Sequence, residues 1–216
     1  MLVAKNNSLR RVILGLDLDP ETSSKDRQLI DDISCPICGT PVVYNHSEGD
    51  NLFNYFTHTD SSPDCFESAG TSDEHRLAVE VTVKELFNRI HEVTGESIEI
   101  DVEKWVGEQP NFVITDIRIS RPLKIAVEVY YKIDSIGLQR RLDKIFDNDY
   151  RAYLIFHSTG RHNADRVESH LNEITPLQVG RFDRDTFTVS FGDLFTEERI
   201  DLSNLTTSRL PEYIVW

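Results

Sequence analysis

The chain has 216 residues, 39% hydrophobic and 28% charged, with 37 acidic against 23 basic residues and a net charge of −14. That length suits one α/β body with a small appended module. No apolar run approaches the ~18 residues that a membrane helix needs, which excludes a helical membrane protein, and the acidic balance weighs against indiscriminate nucleic-acid binding. The basic set is lysine-poor, with 7 lysines to 16 arginines. Such an acidic surface keeps a protein soluble in concentrated salt, where the Debye length shrinks to about 3 Å at 1 M.

At the N-terminus, Met1 to Arg10 lacks the apolar stretch and cleavage site of a secretory signal, so a cytoplasmic location is expected. The run Val12-Ile13-Leu14-Gly15-Leu16 predicts a strand, stopped by the turn at Asp17-Leu18-Asp19-Pro20. Residues Glu21 to Asp32 are polar and then helical in flavour. Next come all three cysteines of the chain, Cys35, Cys38 and Cys65, together with His58. An odd number of cysteines without a signal sequence argues for metal-bound thiolates rather than disulfides.

The Cys35-Pro-Ile-Cys38-Gly knuckle sets two sulfurs on one tight turn, and a second pair about twenty residues on closes a tetrahedron suited to Zn²⁺. His46 is the alternative to Cys65 as fourth ligand. The segments Pro41 to Tyr44 and Leu52 to Phe56 flank a turn-rich stretch, a hairpin pattern that returns His58 to the knuckle.

From Thr71 the pattern becomes helical. Ser72 or Asp73 serves as cap, and Val79, Val83, Leu86, Ile90 and Val93 recur at three- and four-residue intervals up to Gly95. Strands are predicted at Ser97 to Trp105, Phe112 to Ile119 and Leu123 to Tyr131, then a helix from Ser135 to Asp147 and a strand from Ala152 to Phe156. Beyond these, a helix is expected at Ala164 to Ile174, with short strands near Leu177 to Val179 and Phe187 to Phe191.

The segment Lys124 to Lys132 breaks its own local rules, because Glu128 stands mid-strand, where desolvating a carboxylate costs several kcal/mol unless it is compensated. Period-two alternation puts Lys124, Ala126, Glu128, Tyr130 and Lys132 on one face, read as a polar side. Asp116 occupies a similar place one strand earlier. Two such carboxylates can hold Mg²⁺ or Mn²⁺, which activates water for attack on a phosphodiester.

The αβββαβ order with Asp116 and Glu128 on successive strands resembles the PD-(D/E)XK restriction-endonuclease-like superfamily. With Cys35-Pro-Ile-Cys38, Tyr55-Phe56-Thr57-His58 and Glu74-His75 upstream, residues 33 to 157 resemble the competence protein CoiA-like family, which couples a zinc module to such a core. The resemblance implies a zinc-ribbon-like N-terminal module at 1-70, a restriction-endonuclease-like core at 71-160 and a short α/β extension at 161-216. It implies Asp116 and Glu128 as magnesium ligands, with Glu80 or Glu74 and Glu103 as supporting acids. Tyr130 stands where that superfamily usually has lysine, and Lys132, one step along the same face, is the substitute.

The implied activity is metal-dependent cleavage of DNA, with the zinc module organising or orienting the substrate. The alternative is a non-catalytic nucleic-acid- or partner-binding protein on a decayed nuclease scaffold. Arg140, Arg141 and Lys144 are the candidate phosphate contacts; a polar helix face is the competing reading. Glu80 has a competing reading as a surface ion pair with Lys84 at i+4 and Glu103 as a solvated strand residue, while Trp105 and Tyr131 are read as packing residues rather than base-stacking platforms.

Overall fold

The structure, a computed structural model, describes residues 1–18, 24–46, 54–60, 73–130, 135–157 and 180–192. It is a mixed α/β protein, with more strands than helices. Among the described residues, no helix is long and apolar enough to cross a membrane.

The sequence reading draws boundaries at 70 and 160; by contact, the chain divides into Met1–Val102 and Glu103–Trp216. The first unit opens with a strand that the sequence reading does not contain, β1 (Val3–Asn6). It pairs antiparallel with β2 (Arg11–Leu14) on one side and with the short β3 (Ile33–Ser34) on the other. Its alternation is weak, yet Val3 and Ala4 are fully buried, and Asn6 stabilises the loops around it. The Asn6 side chain accepts from Leu9 N at 2.7 Å and donates to the Leu29 and Asp31 carbonyls at 3.0 and 3.1 Å. A buried amide that satisfies three backbone groups replaces the hydrogen bonds which a longer ladder would supply.

Between β2 and β3 lies the short helix α1 (Ser24–Leu29), and after β3 come β4 (Val42–Asn45) and β5 (Tyr55–His58), an antiparallel pair. Helix α2 (Asp73–Thr94) packs on β1 and β2, and the Asn88 side chain both donates to Val12 O and accepts from Val12 N at 2.8 Å. Two positions of α2 depart from the single apolar stripe expected. Every residue from Ala78 to Val83 is buried, so the middle of the helix is enclosed around its circumference. Val93, by contrast, is exposed.

A six-stranded sheet follows, in the order β11-β10-β9-β8-β7-β6. Strands β6 (Glu99–Glu108), β7 (Asn111–Arg121) and β8 (Ile125–Tyr130) run consecutively; helix α3 (Ser135–Asp147) then leads to β9 (Arg151–His157), parallel to β8. The order α2, β6, β7, β8, α3, β9 is the αβββαβ succession of the sequence reading. The β6–β7 turn is tighter than expected because Gly107 has φ 87°, and a Cβ there would lie 2.5 Å from Asn111 O. Strand β10 (Gly180–Asp183) pairs parallel to β9 and antiparallel to β11 (Thr188–Ser190). The expected elements at Ala164 to Ile174 and Leu177 to Val179 lie outside the described residues.

Candidate metal centre and acid pair

Among the described residues two candidate constellations stand out, one in each unit. In the first, the chain leaves β3 and turns back at once, with Cys35 N donating to Thr40 O at 2.8 Å and Gly39 N to Cys35 O at 3.0 Å. Gly39 takes φ 72°, the left-handed conformation that closes such a turn with little strain. Ile37 N points at Cys35 Sγ, 3.4 Å away, and an N–H aimed at sulfur favours thiolate. The β4–β5 register sets Val42 opposite His58, which returns the histidine to the knuckle. Fully buried Phe56 anchors that strand.

Cys35, Cys38 and His58 therefore converge, with their ligand atoms all within 4.8 Å of one another. Cys38 Sγ and His58 Nε2 are 3.4 Å apart, close to the edge of about 3.5 Å implied by Zn–S near 2.3 Å and Zn–N near 2.0 Å in a tetrahedron. Burial works against a charged His58, but Cys35 and Cys38 outweigh it and raise its pKa. Soft sulfur and imidazole donors at this spacing suit a metal ion such as zinc. His46 is exposed and does not join the group, while Cys65 lies outside the described residues.

The second constellation lies between β7 and β8. Their ladder ends at Ile117 paired with Val127, and just past that end Asp116 stands close enough to Glu128 for its charge to act on it. Asp116 Oδ2 receives the Val129 N–H at 2.6 Å. The face read from sequence as polar is in fact covered: β8 is paired on both edges, α3 contacts β7 and β9, and Glu128 is only 2% exposed.

Arg141 reaches Glu128 from α3. Its Nε donates to Oε2 at 3.0 Å, and its Nη2 to Oε1 and Oε2 at 2.7 and 2.6 Å. Nη2 also donates to the Ile114 carbonyl. Burial and the neighbouring charge of Asp116 push the Glu128 pKa up to about 8, against the pull of Arg141. Arg141 thus fixes where the carboxylate lies, while burial and Asp116 make its charge costly. Tyr130, whose hydroxyl is buried with no geometrically formed hydrogen bond among the described residues, is held well above its usual pKa by burial and Glu128.

The other candidates separate. Glu80 is 1% exposed, accepts from Leu2 N and lies 4.0 Å from Arg76; burial raises its pKa. The surface pair with Lys84 does not form, because Glu80 sits on the enclosed stretch of α2 and Lys84 turns to Asp17 at 3.1 Å and Glu85 at 3.3 Å. Glu74 is half-buried and Glu103 exposed. Lys132 and Tyr131 lie outside the described residues. Arg140 is exposed, and Lys144 Nζ stands 5.6 Å from the Phe112 ring centre.

Arg141 is the residue whose role at Glu128 the sequence reading missed. Leu138, Arg141, Leu142 and Ile145 are spaced i, i+3, i+4, i+7, so the arginine belongs to the buried stripe and not to the polar face with Arg140. A cation in that stripe signals a buried acid opposite it. In comparison with known proteins, no family model matches the chain and no curated protein is significantly similar to it.

Proposed function

We propose that the chain is a metal-dependent nuclease-like protein acting on DNA, with a zinc module completed by Cys65 that organises or orients the substrate. The CoiA-like resemblance of residues 33 to 157, on a restriction-endonuclease-like core, is part of this reading. The observation that carries it is the closeness of Asp116 to Glu128: Asp116 takes the Val129 N–H, and burial together with the Asp116 charge pushes Glu128 up to about 8. Acids crowded in this way are relieved by a divalent cation, and hard oxygen donors suit Mg²⁺ or Mn²⁺. Such an ion, when bound, activates water and neutralises charge on the phosphodiester.

The chain's own residues do the rest. Asp116 is oriented by the Val129 N–H, while Arg141 holds Glu128 and must release one of its oxygens to open the site. A guanidinium released there would face the substrate phosphate, in the role that lysine usually fills in the superfamily. Purified protein at the salt concentration it needs, supplied with Mg²⁺ or Mn²⁺, is expected to cut DNA, and Glu128→Gln to abolish cutting without lowering the melting temperature. DNA left intact by the wild type across metals and substrates removes the catalytic reading.

The second reading, a non-catalytic binding protein on a decayed nuclease scaffold, is favoured by one specific observation: both Glu128 oxygens already meet Arg141. It expects DNA binding without cutting, unchanged by Glu128→Gln.

A further inference from the structure

At the β6–β7 edge of the sheet, beside α3, an aromatic stack is not used up by packing within the chain. Trp105 lies against Phe112 with ring centres 4.1 Å apart and planes 22° from parallel. Even so, Trp105 remains 45% exposed and Ile114, two residues along β7, 44% exposed. The packing role expected for Trp105 thus accounts for about half of its surface. Large apolar side chains exposed side by side mark a surface that something else covers.

Three features say what that is. Strand alternation puts Phe112, Ile114 and Asp116 on one face of β7, so the shelf runs toward the acid pair. Arg141 joins the two, since its Nη2 donates both to the Ile114 carbonyl and to Glu128. Cations border the stack: Lys144 Nζ is 5.6 Å from the Phe112 centre, and Arg118 Nη1 donates to Trp105 O at 2.7 Å. Planar aromatic surface bordered by positive charge matches the two parts of an unpaired nucleotide, the π-face of its base and its phosphate. Duplex DNA hides its base faces in its own stack and leaves the shelf without a partner.

We infer that the shelf of Trp105, Phe112 and Ile114 stacks the bases of single-stranded DNA and leads that strand to Asp116 and Glu128. This rests on the DNA reading above and adds the form of the substrate. A second copy of the chain is the poorer occupant, because three side chains fall far short of the roughly 800 Å² per partner of a stable interface.

The test uses the full, zinc-loaded chain with Trp216→Phe, so that Trp105 is the remaining tryptophan, in buffer without added Mg²⁺ or Mn²⁺ so that no cutting occurs. A thymidine oligonucleotide is expected to quench Trp105 fluorescence and to bind at least tenfold more tightly than the matched duplex. On the wild-type background, Trp105→Ala is expected to weaken binding, read by fluorescence anisotropy of labelled oligonucleotide, by about 5- to 150-fold, as for loss of one base stack. Trp105→Phe is expected to keep most of the affinity, which guards against a merely unfolded alanine variant. Absence of quenching, equal affinity for duplex, or unchanged affinity in a folded Trp105→Ala variant overturns the inference. So does self-association in sedimentation that Trp105→Ala abolishes, since the occupant is then a second copy. Failure of the nuclease reading is distinct: wild-type protein that never cuts but binds single strands through Trp105 leaves the shelf standing. Cutting with an unchanged KM in Trp105→Ala removes the shelf alone.

Discussion

Glu128 is a buried acid with a raised pKa, which fixes the sign of its effect on stability. Between its ordinary value of 4.5 and its folded value of about 8, the folded chain binds more protons than the unfolded chain. Its contribution is therefore full below the lower value and is lost as the pH climbs through the upper one. In metal-free buffer, wild-type stability relative to Glu128→Gln should fall between pH 5 and 9 by an amount on the order of a few kcal/mol, followed by urea denaturation at each pH. Parallel curves for the two proteins would mean that Glu128 is not held as described. Arg141→Met leaves the carboxylate without its fork, so its destabilisation should grow above about pH 8, toward the roughly 3–5 kcal/mol of a buried charge deprived of its partner.

Elements in this chain are joined by single side chains as much as by long ladders. The β4–β5 pair has four rungs, and a two-stranded hairpin is marginal alone, so a metal at Cys35, Cys38 and His58 would stabilise it directly. One zinc per chain is expected by elemental analysis; Cys38→Ser should lose it and lower the melting temperature by about 10 °C or more. A variant that keeps full zinc and full stability would exclude Cys38 as a ligand. Asn88 ties α2 to β2 through both polar groups of Val12. Asn88→Ala leaves two backbone groups to find water, and a loss of about 1–3 kcal/mol is expected in chemical denaturation; a variant as stable as wild type would show that water satisfies them.

For the whole molecule, the surplus of 37 acidic over 23 basic residues makes self-repulsion the term that salt changes most. The melting temperature should rise by about 5 °C or more between 0.1 and 2 M KCl as exposed charges are screened. The forked Glu128–Arg141 pair, whose carboxylate is buried, should respond much less. A melting temperature indifferent to salt would exclude charge repulsion as a limit on stability.

The knuckle and the αβββαβ succession could be read in the chain, because turn residues and two- or four-residue periods are local properties. Burial could not, because it depends on what covers an element. The polar-looking face of Glu128 is enclosed once β8 is paired on both edges, and Glu80 leaves Lys84 because α2 is surrounded where it sits. Strand β1 carries little pattern of its own and exists through β2, β3 and Asn6. Sequence alone therefore determined the order of the elements and which residues are candidates on them. Tertiary structure decided which charges lose water and find one another: Arg141 meets Glu128 through a helix lying across the sheet, a contact that no spacing within either element encodes.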